Sequence, residues 1–142
     1  MEIFKKKNFY VVDAQGFHIN KKFHARELYF TNAYQSFGLE LDLDMSYRDV
    51  MRLSDEDYKT TSHQTKHIHG LPLYSRRHSL NKAMIDSGML PFVLTKIYEL
   101  LSLLAEEPVV FAVKNHHLLR ILRNLPSIKH VINLDAKQYE IP

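Results

Sequence analysis

The chain has 142 residues and no Cys, and its 19 Lys and Arg against 16 Asp and Glu give a net charge of +3, with nine His in addition. That length suffices for one domain with a real core, and 45% hydrophobic with 25% charged residues argues against wholesale disorder. The lack of Cys excludes thiolate zinc sites, iron–sulfur clusters and a Cys nucleophile and fits a reducing compartment, while the mild positive charge permits nucleic-acid contact without requiring it.

With only four Gly and five Pro, no flexible linker divides the sequence, so residues 1–142 are expected to form a single domain. Met1 to Lys7 has no apolar run behind its basic cluster and does not read as a secretory signal. An intracellular protein, cytoplasmic or nuclear, is therefore expected. The longest apolar region, Met89 to Ala105, is interrupted by Pro91, Lys96 and Glu99. It reads as a buried amphipathic helix and not as a membrane span, so no membrane partner is expected.

In chain order, Phe9 to Val12 is β-branched and aromatic and reads as a buried strand ending in a turn at Asp13-Ala14-Gln15-Gly16. Lys22 to Ala33 alternates partly, through Phe23, Ala25, Leu28 and Phe30, and reads as a second strand, with Asn20-Lys21 the expected hairpin connection. Ser36 to Leu43 alternates clearly, Phe37, Leu39, Leu41 and Leu43 facing one way. Ser54 followed by Asp55, Glu56 and Asp57 is a helix start with acids in its first turn, and the helix is expected to reach about Lys66. Gly70 and Pro72 break the chain, and a weaker helical stretch is expected around Ser79 to Ser87.

Pro91 then opens a strong helix with Val93, Leu94, Ile97, Leu100, Leu101 and Leu104 at helical spacing, ended by Pro108. Val109 to Val113 is a continuous apolar run, as in a strand buried on both faces. Leu118 to Leu125 forms another amphipathic helix stopped by Pro126, and Val131 to Leu134 is a last short strand. The predicted fold is α/β: a mixed five-stranded sheet, three antiparallel strands followed by a parallel βαβ portion, flanked by helices.

Four segments in this order resemble the RNase H-like 3′–5′ exonucleases of the proofreading, four-carboxylate type. They are Val11-Val12-Asp13-Ala14-Gln15-Gly16-Phe17, Lys66-His67-Ile68-His69-Gly70-Leu71, Val110 to Leu122, and Val131-Ile132-Asn133-Leu134-Asp135. The resemblance implies a site in which four carboxylates hold two divalent metals and a His or Tyr activates water. By that resemblance Asp13 stands at the first carboxylate and Gln15 at the second. Asn115 matches the family Asn, Lys114 replaces a His, Leu118 a Phe and Leu119 an Asp. The family's final motif would lie beyond the fifth strand and is expected to be missing.

The resemblance therefore implies a degenerate member of the family, with Asp13, Gln15 and Asn115 as vestigial site residues. Asp13 also has a purely structural explanation, since a strand-end acid can cap the turn that follows. No cofactor is expected of such a protein. Mg²⁺ or Mn²⁺ enters only if the chain is instead an exonuclease with an atypical site.

Outside those motifs, His63 and His67 lie at i, i+4 and could share a helix face toward a transition metal, with Asp13 the other weak metal candidate. Lys21, Lys22, Arg76, Arg77, Lys114, His116 and His117 are the candidate nucleic-acid contacts. Three functions follow as expectations: a non-catalytic domain binding RNA or another single-stranded nucleic acid or a protein partner, a metal-dependent exonuclease, or a protein-interaction module with no nucleic-acid role.

Overall fold

The computed structural model describes residues 6–42, 53–69 and 85–135. The chain is an α/β protein with a mixed sheet. Its strands are β1 (Phe9–Ile19), β2 (Lys22–Thr31), β3 (Ser36–Asp42), β4 (Ile85–Asp86), β5 (Val110–Val113) and β6 (Val131–Asn133), in the sheet order β4-β3-β2-β1-β5-β6. The helices are α1 (Asp55–His63), α2 (Leu90–Ala105) and α3 (His116–Arg123). Five strands match the expected set. The sixth, β4, is two residues long and pairs parallel to β3 where a weak helix was expected; positions 79–84 of that stretch lie outside the described residues. Ile85 is β-branched, and a parallel partner at Leu41 outweighs a weak helical pattern.

The described fold gathers into two compact units. Of the described residues, one comprises 6–14, 29–38 and 91–135, the other 15–28, 39–42, 53–69 and 85–90.

In the first unit β1, β5 and β6 run parallel, Val12 opposite Val113 and Val113 opposite Asn133. Asn8 locks the start of this pairing. Its side-chain amide donates to the Pro108 carbonyl at 2.9 Å, and its own carbonyl accepts from the Val110 N–H at 2.8 Å. Phe111, Ala112 and Val113 are fully buried, as a strand covered on both faces requires. Phe111 packs against Phe30 and Tyr98, ring centroids 5.8 and 5.2 Å away, and Phe30 stacks on Phe37 at 5.0 Å. Val93, Leu94, Tyr98 and Leu101 bury one face of α2, and Leu118, Leu119 and Leu122 bury one face of α3. Helix α2 ends where Glu106 turns left-handed at φ 58°, its N–H bonding back to the Leu103 carbonyl, and Pro108 then bars continuation.

In the second unit the connection Asn20-Lys21 is a two-residue turn with both φ positive, at 51° and 62°. This is the hairpin turn whose twist matches that of the strands it joins. Strand β1 does not stop at Asp13 as expected. It continues to Ile19, and Gly16 lies inside it rather than in a turn. The reason is proximity: a Cβ at Gly16 would sit 2.0 Å from the His24 carbonyl oxygen, so only Gly lets the two strands close here. The buried positions also change phase at this point, from Val12 and Ala14 to Phe17 and Ile19.

Helix α1 starts at Ser54, whose hydroxyl accepts from the Asp57 N–H at 3.1 Å. It passes into a wider π-helical stretch, Gln64–His69, three residues beyond the end expected for the helix. Two side chains of this helical run tie to backbone N–H groups of β1 and its turn. Gln64 accepts from His18 at 3.2 Å, and Asp57 accepts from Asn20 at 3.2 Å.

Candidate functional site

The parallel strands of the first unit create an opening by ending early. β5 stops at Val113 and β6 at Asn133. Beyond their carboxyl ends lies an open groove of about 410 Å³, lined by Val11, Val12, Asp13, Lys114, Asn115 and Leu134. The mouth beyond the carboxyl ends of parallel strands is the usual ligand position in open α/β sheets. The structure thus brings three of the sequence candidates, Asp13, Lys114 and Asn115, to one place.

Their chemistry there is specific. Asp13 is exposed, and its carboxylate accepts from the Ala14 N–H at 2.8 Å. It is not the cap of a turn, because no turn follows it. Gln15 is half-buried and follows two residues on, on the same strand face. Asn115 is the N-cap of α3. Its carboxamide oxygen accepts from the His117 and Leu118 N–H groups at 2.9 and 3.1 Å, so it is occupied in starting the helix. Leu118 and Leu119 are core residues, 0% and 6% exposed.

The groove therefore offers one carboxylate and one ammonium. Two dications need several anionic oxygens to offset their charge, and this lining does not fit them. Among the described residues, no three His, Cys, Asp or Glu side chains converge on a point that could hold a metal ion. His63 and His67 do meet, their rings 5.0 Å apart, but both are exposed and belong to the second unit. Lys21 and Lys22 sit exposed at the hairpin turn of that same unit. Arg76 and Arg77 lie outside the described residues.

Helix α3 carries the feature that motif matching overlooks. His116, Arg120 and Arg123 fall at i, i+4 and i+7 on its solvent face, and with Leu119 and Asn124 they line an open groove of about 270 Å³. His116 Nε2 lies 3.8 Å from an Asp135 carboxylate oxygen, an ion pair when the imidazole is protonated. His117 is exposed beside it. Arg120 and Arg123 also lie in the last turn, where cations complement the helix dipole.

The charge count was readable from the sequence. Residues 108–135 hold Lys114, Arg120, Arg123 and Lys129 against Asp135 alone, a net of +3. The segment is locally basic, as is 58–85, which holds Lys59, Lys66, Arg76, Arg77 and Lys82 and no Asp or Glu.

No protein-family model, no curated protein and no solved structure matches the chain. Among the described residues, no helix is long and apolar enough to cross a membrane.

Proposed function

We propose that this chain is a degenerate RNase H-like exonuclease domain that binds single-stranded nucleic acid without cutting it, through the basic face of α3 and the adjoining strand-end groove. The observation that carries this reading is charge placement. The segment from β5 through β6 to Asp135 holds four Lys and Arg against one acid, and Lys114, His116, His117, Arg120 and Arg123 are all exposed there. Phosphate neutralisation by Lys and Arg dominates nucleic-acid affinity, and a row of cations one helical turn apart suits a flexible backbone.

The exonuclease-like part of the reading rests on three hairpin-linked strands followed by two parallel ones, in the order that the resemblance implies. Loss of cutting rests on Gln15 and the buried Leu119, which stand where the resemblance implies carboxylates. The carboxyl-end groove keeps Asp13 but sets Lys114 in the same lining.

The test is gel electrophoresis of end-labelled single-stranded RNA and DNA incubated with the protein and Mg²⁺ or Mn²⁺. The expected result is a retarded band of unchanged length. Shortening that needs metal and disappears in Asp13→Ala would establish the exonuclease instead. Neither retardation nor shortening at micromolar protein would favour the protein-interaction module.

A further inference from the structure

A helix on a sheet normally turns one face inward and shows water a polar one. α2 departs from this. Its inner face is buried, but its outer face carries Phe92, Leu100, Leu103 and Leu104, exposed by 57%, 55%, 75% and 72%. The sequence predicted a buried amphipathic helix; the structure buries only half of it. The polar groups within this outer stripe are Lys96 and Glu99, which pair at 3.6 Å, and the Lys96 ammonium also lies 5.6 Å from the Phe92 ring centre.

We infer that this face is covered by a second copy of the chain, α2 packing antiparallel on α2 about a two-fold axis. The argument is self-complementarity. A two-fold contact places residue i opposite residue j and j opposite i. An axis crossing the helix midway between Ile97 and Tyr98 sets Phe92 opposite the second copy's Leu103. The same axis, without further adjustment, sets Lys96 opposite the second copy's Glu99. At a rise of about 1.5 Å per residue, Phe92 and Leu103 lie about 8 Å on either side of the axis, and Lys96 and Glu99 about 2 Å.

One register therefore joins large apolar side chains at both ends and opposite charges in the middle. A one-residue shift separates both sets of partners at once. Leu100 beside this stripe widens the apolar contact, and Leu104 extends it toward the helix end. The inference is independent of nucleic-acid binding, because it uses none of the basic residues of α3.

The test is the mass of the full chain in solution by light scattering, at concentrations on the order of 100 μM. The chain is 16.7 kDa, and the dimer would be close to twice that. Glu99→Lys and Lys96→Glu each place like charges across the axis and are expected to give monomer. The double variant Lys96→Glu/Glu99→Lys restores opposite charges and is expected to restore the dimer. Leu103→Ala is expected to weaken association at least about tenfold, while circular dichroism of each variant confirms that α2 still forms. A monomeric wild-type chain would overturn the inference. So would a dimer unaffected by Glu99→Lys, or a double variant that stays monomeric although folded.

Discussion

Gly16 and Arg26 are the residues whose roles depend most on the three-dimensional structure. In sequence, Gly16 closes an apparent turn signal. In the fold it is the point where two strands approach too closely for any side chain, the obstructing atom being a backbone carbonyl that cannot rotate away. Gly16→Ala is accordingly expected to destabilise the fold by about 2 kcal/mol or more, measured by urea unfolding. A loss below about 0.5 kcal/mol would show that the strands are farther apart than described. Arg26 is 1% exposed, donates to the Leu41 carbonyl, and has Glu40 as counter-charge at 3.7 Å. Nothing in its sequence context distinguishes it from a surface cation, because its partners are supplied by the neighbouring strand. It shares strand parity with the buried Leu28 and Phe30, but a cation at such a position carries no local sign of the partners that would let it be buried.

At the scale of elements, most of the secondary structure was legible because local signals agreed. Ser54 caps α1 as its acidic first turn implied, and Pro108 and Pro126 follow helix ends. Val110–Val113 is buried on both faces as its unbroken apolar run required. The failures came where local chemistry was outweighed by pairing. β1 runs through a turn-like tetrapeptide because its partner strand continues, and β4 exists because Leu41 and Asp42 offer a parallel edge.

The hairpin turn Asn20-Lys21 is correctly placed but poorly filled. Lys21 holds φ 62°, a conformation that favours Gly and strains a side chain. Lys21→Gly is expected to stabilise the protein by about 0.5–1 kcal/mol, seen as a rise in melting temperature. A fall would mean that the turn is not of this type. For α3, the apolar pattern from Leu118 made the helix legible, whereas Asn115, expected as a vestigial site residue, is its N-cap. Its basic face was legible in part: Lys114, His116 and His117 stood out as candidate contacts, while Arg120 and Arg123 are interspersed in an apolar helical pattern and join them only on the folded helix surface.

For the whole molecule, the mixed sheet and its helices follow from the sequence, whereas the function is argued from a site. The carboxyl-end groove is lined by Asp13, Lys114 and Asn115, whose chemistry there is that of a lone carboxylate, a cation and a helix cap. The basic face of α3 presents exposed cations within residues 108–135, which hold four Lys and Arg against Asp135 alone.

The most direct measurement is the affinity for a fluorescent single-stranded oligonucleotide, by anisotropy, across a range of salt concentrations. For the wild type, log affinity is expected to fall linearly with log salt, with a slope of about −2 to −3 for three to four phosphate contacts on a single strand. Arg120→Ala/Arg123→Ala should weaken binding at low salt by roughly tenfold or more and flatten the slope by about one to two. Lys59→Ala, on the exposed face of α1, should change neither. Binding that is absent or insensitive to salt, or a double variant with the wild-type slope, would contradict the account.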